Sequence, residues 1–396
     1  MQPTLNQKFK IDYQYPVVFS RYIFELPNQI LKDTLMQLAP SAAKVLVFLD
    51  HNVDRAHPHL RNKMQAYFDI HCPQIQLITK TITGGEPIKN ERKHLFQLLS
   101  KIDQQHLDRH SLIFAIGGGA VLDAVGFAAA IAHRGIPIVR FPTTVLSQND
   151  SGVGVKNSFN DFGKKNFLGT FAPPLAVIND STFLETLDER DWRSGISEAV
   201  KVALIKDANF YETLVQKAEA VNNRNLDAME EIIHRCADLH VAHIGLGGDP
   251  FEKGSSRPLD FGHWAAHKIE YLSNYQIRHG EAVATGIAID CIYAHKIGKL
   301  SGEFLQAVLN LLRNYGFQLF HPELLPHIEE WKLWEGLEEF REHLGGELTI
   351  LLIKGPGKPE EVHDIQKEVL LAAIKYLQAW EGEKPETKML INNHAS

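Results

Sequence analysis

Four short apolar runs punctuate the first half of the chain: Lys44-Val45-Leu46-Val47-Phe48-Leu49-Asp50, Ile75-Gln76-Leu77-Ile78, Ser111-Leu112-Ile113-Phe114-Ala115-Ile116 and Ile136-Pro137-Ile138-Val139-Arg140-Phe141. Amphipathic segments separate them. A strand covered on both faces needs no polar alternation, so apolar runs interleaved with helices predict a parallel α/β sheet. After about Asp180 the texture changes. Strand-like runs nearly vanish, and Gly195 to Leu214, Leu226 to Ile244 and Gly280 to Lys296 carry helical periodicity. The expected organisation is an α/β domain over 1–185, a mainly α-helical domain over 186–380 and a frayed polar tail over 381–396. The run Leu348 to Lys354 is expected to return one strand to the helical part.

At 396 residues the chain is long enough for two cores, and 44% hydrophobic with 22% charged residues reads as globular and soluble. The formal net charge is -7, and no basic block is dense enough to track a phosphate backbone. Nucleic acid is therefore not an expected partner, and any phosphate must be met by a few placed cations. Cys72, Cys236 and Cys291 follow no metal-knuckle or redox spacing and read as buried thiols in a reducing compartment. The first residues lack an apolar leader core, and no run approaches the roughly 18 apolar residues that span a bilayer. The expectation is a cytoplasmic protein with no membrane partner.

The third apolar run leads into Gly117-Gly118-Gly119 and then a small-residue helix from Ala120 to Ala130. Glycines there would let backbone N–H groups and a helix N-terminus approach a pyrophosphate. A bare triple glycine fits a structural turn equally well. Two neighbours favour the nucleotide: Asp50 ends an early strand where it can accept ribose hydroxyls, and Pro142-Thr143-Thr144 ends another on the same expected carboxyl edge.

The helical part holds a second kind of chemistry. His263 and His279 stand 16 residues apart in Phe261-Gly262-His263 and His279-Gly280-Glu281, with Glu198 upstream. Two imidazoles and a carboxylate suit Zn²⁺ or a similar borderline metal and leave positions open for a substrate hydroxyl. His267, four residues after His263, shares its helical face and is a metal ligand or a neighbour of the metal. Glu198 and Lys201 lie three apart, which fits either a surface ion pair or part of the site. Trp264 reads as packing.

Gly117-Gly118-Gly119-Ala120-Val121-Leu122-Asp123, Arg134-Gly135-Ile136-Pro137, Pro142-Thr143-Thr144, Asp150-Ser151-Gly152-Val153-Gly154-Val155-Lys156, Gly163-Lys164-Lys165-Asn166, Glu198-Ala199-Val200-Lys201, Phe261-Gly262-His263 and His279-Gly280-Glu281-Ala282 stand in the order and spacing of 3-dehydroquinate synthase. The chain thus resembles the sugar phosphate cyclases over roughly residues 45 to 360. The resemblance implies a Rossmann-like N-terminal domain, a helical C-terminal domain and usually a homodimer. It implies a cycle in which NAD⁺ oxidises a hydroxyl of a seven-carbon sugar phosphate, phosphate leaves by β-elimination, the ketone is reduced again and an aldol step closes a carbocycle. It assigns Glu198, His263 and His279 to Zn²⁺ or Co²⁺. Lys156 and Lys201 would hold ring hydroxyls, and Asp150 would orient a lysine or hydroxyl. Lys165, Asn166, His267 and Arg134, the last from a second subunit, would meet phosphate and the nucleotide edge. Glu252 is a further catalytic candidate. Asp50, Glu86, Lys89, Gly118, Gly119, Asp123, Thr143, Thr144, Phe183 and Thr186, with Lys156 and Lys165, would contact NAD⁺.

One segment departs from the pattern of the strict synthase, whose substrate carries a carboxylate. The arginine expected four residues after Glu252 is Ser256, with Arg257 displaced by one; the asparagine before Gly-His is Asp260; the lysine expected ten residues before Glu252 falls at Ala242. A carboxylate needs a charge-assisted, preferably bidentate donor. Its loss, with an added negative charge, points toward sedoheptulose 7-phosphate, which carries a hydroxymethyl group there. Dehydroquinate synthase proper is the alternative, and a metal-dependent alcohol or glycerol dehydrogenase is a second one. Several lysines and a phosphate anchor argue against a simple alcohol substrate.

Overall fold

The first apolar runs form strands of one parallel sheet: β1 (Val17–Ser20), β2 (Lys44–Asp50), β3 (Gln76–Ile82), β4 (Leu112–Gly117), β5 (Ile138–Pro142) and, after the antiparallel pair β6 (Lys156–Asp161) and β7 (Lys164–Phe171), β8 (Ala176–Asp180). The computed structural model describes residues 4–162, 164–247, 251, 258–326, 331–343 and 346–383. The sheet order is β1-β8-β5-β4-β2-β3, and every neighbouring pair is parallel. Alternate residues feed two cores. Val45, Val47 and Leu49 pack with Tyr67, Phe68, Phe114 and Phe141, while Leu46 and Phe48 pack with Ile113, Val121, Val125 and Phe127. Burial on both faces explains why β2 reads as an unbroken apolar run.

From β2 the chain steps to edge strand β3 and returns on the other side of β2 to β4. The direction of winding therefore reverses beside β2, and the carboxyl ends of β2 and β4 flank that switch point, where open α/β sheets bind ligands. Asp50 and Gly117 end these two strands.

The chain divides into two compact units, Met1–Gly195 with Leu226–Lys253 and Ile196–Asn225 with Gly254–Ser396. Where the sequence texture places a boundary at 185/186, the packing division lies at Gly195/Ile196, and helix Leu226–Leu246 goes to the first unit. In the second unit the Gly195 to Leu214 run is two helices, Ile196–Lys206 and Ala208–Asn222, split where Asp207 caps the second by accepting from the N–H groups of Asn209 and Phe210. Helix His279–Lys296 is buried at every position from Ala282 to Ala294 and forms the axis of this unit. Gly262 (φ 77°) lies directly on it: a Cβ on Gly286 would stand 1.9 Å from the Gly262 carbonyl oxygen. The late run forms β9 (Ile350–Ile353), paired antiparallel with β10 (Pro359–Val362). The final helix is Lys367–Gly382, and residues 384–396 of the expected tail lie outside the described residues. Among the described residues no helix is long and apolar enough to cross a membrane.

Candidate functional site

The second unit brings Glu198, His263 and His279 together, with one ligand atom of each within 4.8 Å of the others. Glu198 projects from helix Ile196–Lys206, and each imidazole stands in the first turn of its own helix, His263–Leu272 and His279–Lys296. Glu198 is fully buried. Its Oε1 lies 3.4 Å from Nε2 of both His263 and His279, and its Oε2 lies 2.5 Å from Lys201 Nζ. The Glu198–Lys201 pair is therefore a buried ion pair, which removes the surface alternative. Burial alone would raise the Glu198 carboxyl; Lys201 and the two rings outweigh it and hold the group well below the usual carboxylate range.

The far nitrogens of the rings decide what this cluster can hold. His263 Nδ1 faces the Phe261 carbonyl oxygen at 3.2 Å, and His279 Nδ1 faces Glu270 Oε2 at 3.0 Å. Both partners only accept, so each ring keeps Nδ1–H whether or not Nε2 is protonated: a protonated Nε2 faces Glu198 as a donor, and a deprotonated one offers its lone pair there to a cation. Two lone pairs and a carboxylate converging in a buried place fit a divalent cation, and the carboxylate behind His279 is the partner that metal-binding histidines ordinarily have. His267 stands exposed beside them, its ring stacked on His279 with centroids 6.0 Å apart. Trp264 is buried, and its Nε1–H donates to Asp290 at 2.9 Å; the second Asp290 oxygen accepts from Gly262 N–H at 2.9 Å. Asp290 thus pins both residues flanking His263.

In the first unit the expected nucleotide residues line the carboxyl edge. Asp50 is buried and caps the following helix, accepting from Asn52 N–H at 2.7 Å; burial raises its carboxyl, opposed by the N–H groups of Asn52, Gly85 and Val53. Gly118 is the N-cap of helix Gly119–Ile131, so that helix start points from the end of β4. Thr143 is buried, and Thr144 Oγ1 is bonded to Ser147 Oγ at 2.8 Å. Lys89 Nζ, 3% exposed, reaches Asp123 Oδ2 and Asn166 Oδ1, each at 2.6 Å, and Ser158 Oγ at 2.9 Å. Asn166, expected at the phosphate, is thus bonded to Lys89, which also holds Asp123; both of these are cofactor candidates. Glu86 accepts from Asn160 Nδ2 at 2.8 Å. Phe183 packs edge-on against His57, whose Nε2 is 2.9 Å from Thr186 Oγ1.

Asp150 and Lys156 sit on the segment after β5, where Ser147–Ser151 forms a π-helical turn. Such a turn is rare and marks functional segments. Beneath it lies Arg140, 1% exposed, which donates to the carbonyls of Gly152, Gly154 and Lys156 and to Asn157 Oδ1 at 3.1, 2.7, 3.0 and 2.7 Å. Lys156 opens β6, and Lys165 lies near the start of β7. Arg134 is exposed in a short turn with φ 65°, next to His133 at φ 50°. Glu252, Ser256 and Arg257 lie outside the described residues. Asp260 ends the turn Pro258–Asp260, three residues before His263. Arg140, His240, Glu270 and Asp290 escape sequence reasoning. Only the apolar context of Asp290, an acid within the buried stretch Ala282 to Ala294 of its helix, offers a signal.

The family pattern described as 3-dehydroquinate synthase N-terminal matches residues 79–194, and the one described as 3-dehydroquinate synthase C-terminal matches residues 195–332. A 2-epi-5-epi-valiolone synthase of Streptomyces glaucescens is 31% identical over 369 residues, 92% of this chain and 91% of that protein. A 3-dehydroquinate synthase of Dictyoglomus turgidum is 32% identical over 320 residues, 81% of this chain and 87% of that protein. Among solved structures, 2-epi-5-epi-valiolone synthase from Streptomyces hygroscopicus subsp. jinggangensis 5008, with NAD⁺ and Zn²⁺ bound, superposes with a TM-score of 0.85 at 28% identity, covering 95% of this chain and all of that one. The first match contains the glycine turn and the second the buried carboxylate and the two histidines, and the chain belongs to the 3-dehydroquinate synthase-like sugar phosphate cyclases.

Proposed function

We propose that this member of the family is an NAD⁺- and divalent-metal-dependent cyclase that eliminates phosphate from a seven-carbon ketose phosphate without a carboxylate, of the sedoheptulose 7-phosphate kind, and that it works as a homodimer. The observation that carries the substrate choice is Asp260, which ends the turn Pro258–Asp260 three residues before the metal candidate His263. An anionic side chain there opposes a substrate carboxylate. Relatives named for either substrate class match at about the same identity, 31% and 32%, so the choice rests on residues.

Bound at these sites, NAD⁺ would take up and return one hydride, and Zn²⁺ or Co²⁺ would act as a Lewis acid on the reacting hydroxyl oxygen. Glu198, His263 and His279 would hold the metal, and Lys201, buried against Glu198, would keep positive charge at the hydroxyl and favour its ionised form. Asp50 would accept from the ribose, and Gly118, Gly119, Thr143 and Thr144 would meet the pyrophosphate and its surroundings. Glu86, Phe183 and Thr186 would complete the cofactor contacts. Lys89 and Asp123 would link the cofactor contacts to Asn166, which with Lys165, His267 and a second subunit's Arg134 would serve the phosphate. Asp150 and Lys156 would hold sugar hydroxyls, with Glu252 as a further catalytic group. The test is release of inorganic phosphate from sedoheptulose 7-phosphate with NAD⁺ and Zn²⁺ supplied. Phosphate release without build-up of NADH supports the cyclase, whereas stoichiometric NADH accumulation without phosphate release makes the chain a dehydrogenase.

A further inference from the structure

A residue outside the metal and nucleotide groups faces Asp150. His240 lies on helix Leu226–Leu246 of the first unit, with Nδ1 2.9 Å from Asp150 Oδ1. The two side chains are 13% and 17% exposed, so the pair is shielded yet reaches solvent at one edge. A carboxylate oxygen only accepts, so a contact this short is favourable for a neutral His240 only with the proton on Nδ1 and the lone pair on Nε2; the ring meets Asp150 Oδ1 off the line of a hydrogen bond, and a small rotation of either side chain closes one.

The backbone that carries Asp150 is held without His240. Gly152 N–H closes the π-turn onto Ser147 O at 2.9 Å, Arg140 grips the Gly152 and Gly154 carbonyls, and Tyr15 OH donates to Val153 O at 2.8 Å. With the segment fixed by these bonds, what His240 adds is the rotation and the hydrogen-bonding state of the Asp150 carboxylate itself.

We propose that His240 is the positioning residue for Asp150: it ties up one carboxylate oxygen so that the other is presented in a single orientation to the sugar hydroxyl or lysine that Asp150 serves. This rests on the role given to Asp150 in the functional reading above. A histidine that merely filled space could be replaced by leucine; one that donates through Nδ1–H can be replaced by asparagine, whose side-chain N–H occupies nearly the same place.

The experiment compares His240→Leu, His240→Asn, Asp150→Asn and the His240→Leu/Asp150→Asn double variant by phosphate release from sedoheptulose 7-phosphate, with the His240 tautomer read by ¹⁵N NMR. His240→Leu should lower kcat about 10- to 100-fold with little change in KM, the scale of a misoriented group. His240→Asn should recover most of the loss, and melting temperatures should stay close to wild type. The double variant should be no slower than Asp150→Asn alone, because the two residues act as a unit. The wild-type ring should be the Nδ1–H tautomer and should lose that preference in Asp150→Asn. Full activity in His240→Leu, multiplicative losses in the double variant, or an Nε2–H wild-type ring overturns the assignment while the functional reading stands. A wild type inert on ketose phosphates overturns that reading, and the catalytic role of His240 with it.

Discussion

Replacing Glu270 by alanine separates the geometry of the metal cluster from its ligands. Glu270 touches no substrate in this account; it is 5% exposed and receives the Nδ1–H of His279 at 3.0 Å. Without it, the His279 ring loses the acceptor that fixes both its tautomer and its rotation, and the Nε2 lone pair no longer points reliably at the metal position. A hydrogen bond to a charged group is worth about 1.5–3 kcal/mol. If about 2 kcal/mol of that goes into orienting the ligand, metal affinity should fall about 30-fold, inside the 10–100-fold range usual for such partners. Glu270→Gln keeps an acceptor oxygen and loses the charge, so its loss should be the smaller, about 5-fold by the roughly twofold weaker neutral bond. The assay is titration of metal-free protein with Co²⁺, followed by visible absorbance, so that binding is read without turnover. A Glu270→Ala variant that binds Co²⁺ within about twofold of wild type, or a glutamine variant weaker than the alanine one, would refute the reasoning.

Gly126 and Asp290 test the scaffolds of the two units. At Gly126, inside helix Gly119–Ile131, helix propensity favours alanine by about 1 kcal/mol, but the added Cβ would stand 1.8 Å from Asn157 Oδ1, which Arg140 holds in place. Overpacking and a disturbed charged hydrogen bond outweigh the propensity gain, so Gly126→Ala should destabilise by about 2–4 kcal/mol; a melting temperature at or above wild type contradicts this. Burial pushes the Asp290 carboxyl up to about 7 against the opposing bonds from Trp264 and Gly262. The folded protein then holds a proton that the unfolded chain releases near about pH 4, so this group's contribution to stability is full below about pH 4 and is lost as pH rises to about 7. Asp290→Asn should therefore gain stability relative to wild type as pH rises through that window, read by thermal unfolding; parallel profiles for the two proteins would rule the coupling out.

Much of the first unit was legible because its strands are buried on both faces: the predicted bounds of β2 match the observed strand. β1 escaped because it has only four residues, and the β6–β7 pair because strands such as Lys156–Asp161 show no apolar run or clean alternation. Periodicity identified Leu226–Leu246 as a helix but could not say which core it joins. Glu198, His263 and His279 were legible as a ligand set, whereas the acceptors behind the two imidazoles were not. Glu270 reads as an ordinary helical acid, and the Phe261 carbonyl has no sequence signature. Arg140 is hidden differently: a charged residue within an apolar strand gives no hint that the acceptors it needs are the carbonyls of residues 152 to 156.

The central claim is a phosphate-eliminating cyclase that selects a substrate without a carboxylate, and the most direct measurement is kcat/KM of the wild-type protein, with NAD⁺ and Zn²⁺ or Co²⁺, for phosphate release from sedoheptulose 7-phosphate and from the carboxylated heptulosonate phosphate. Asp260, three residues before His263, predicts a preference for sedoheptulose 7-phosphate of about 10-fold or more, the scale of one misplaced charged contact. A strong preference for the carboxylated substrate would contradict it and make the chain a divergent 3-dehydroquinate synthase.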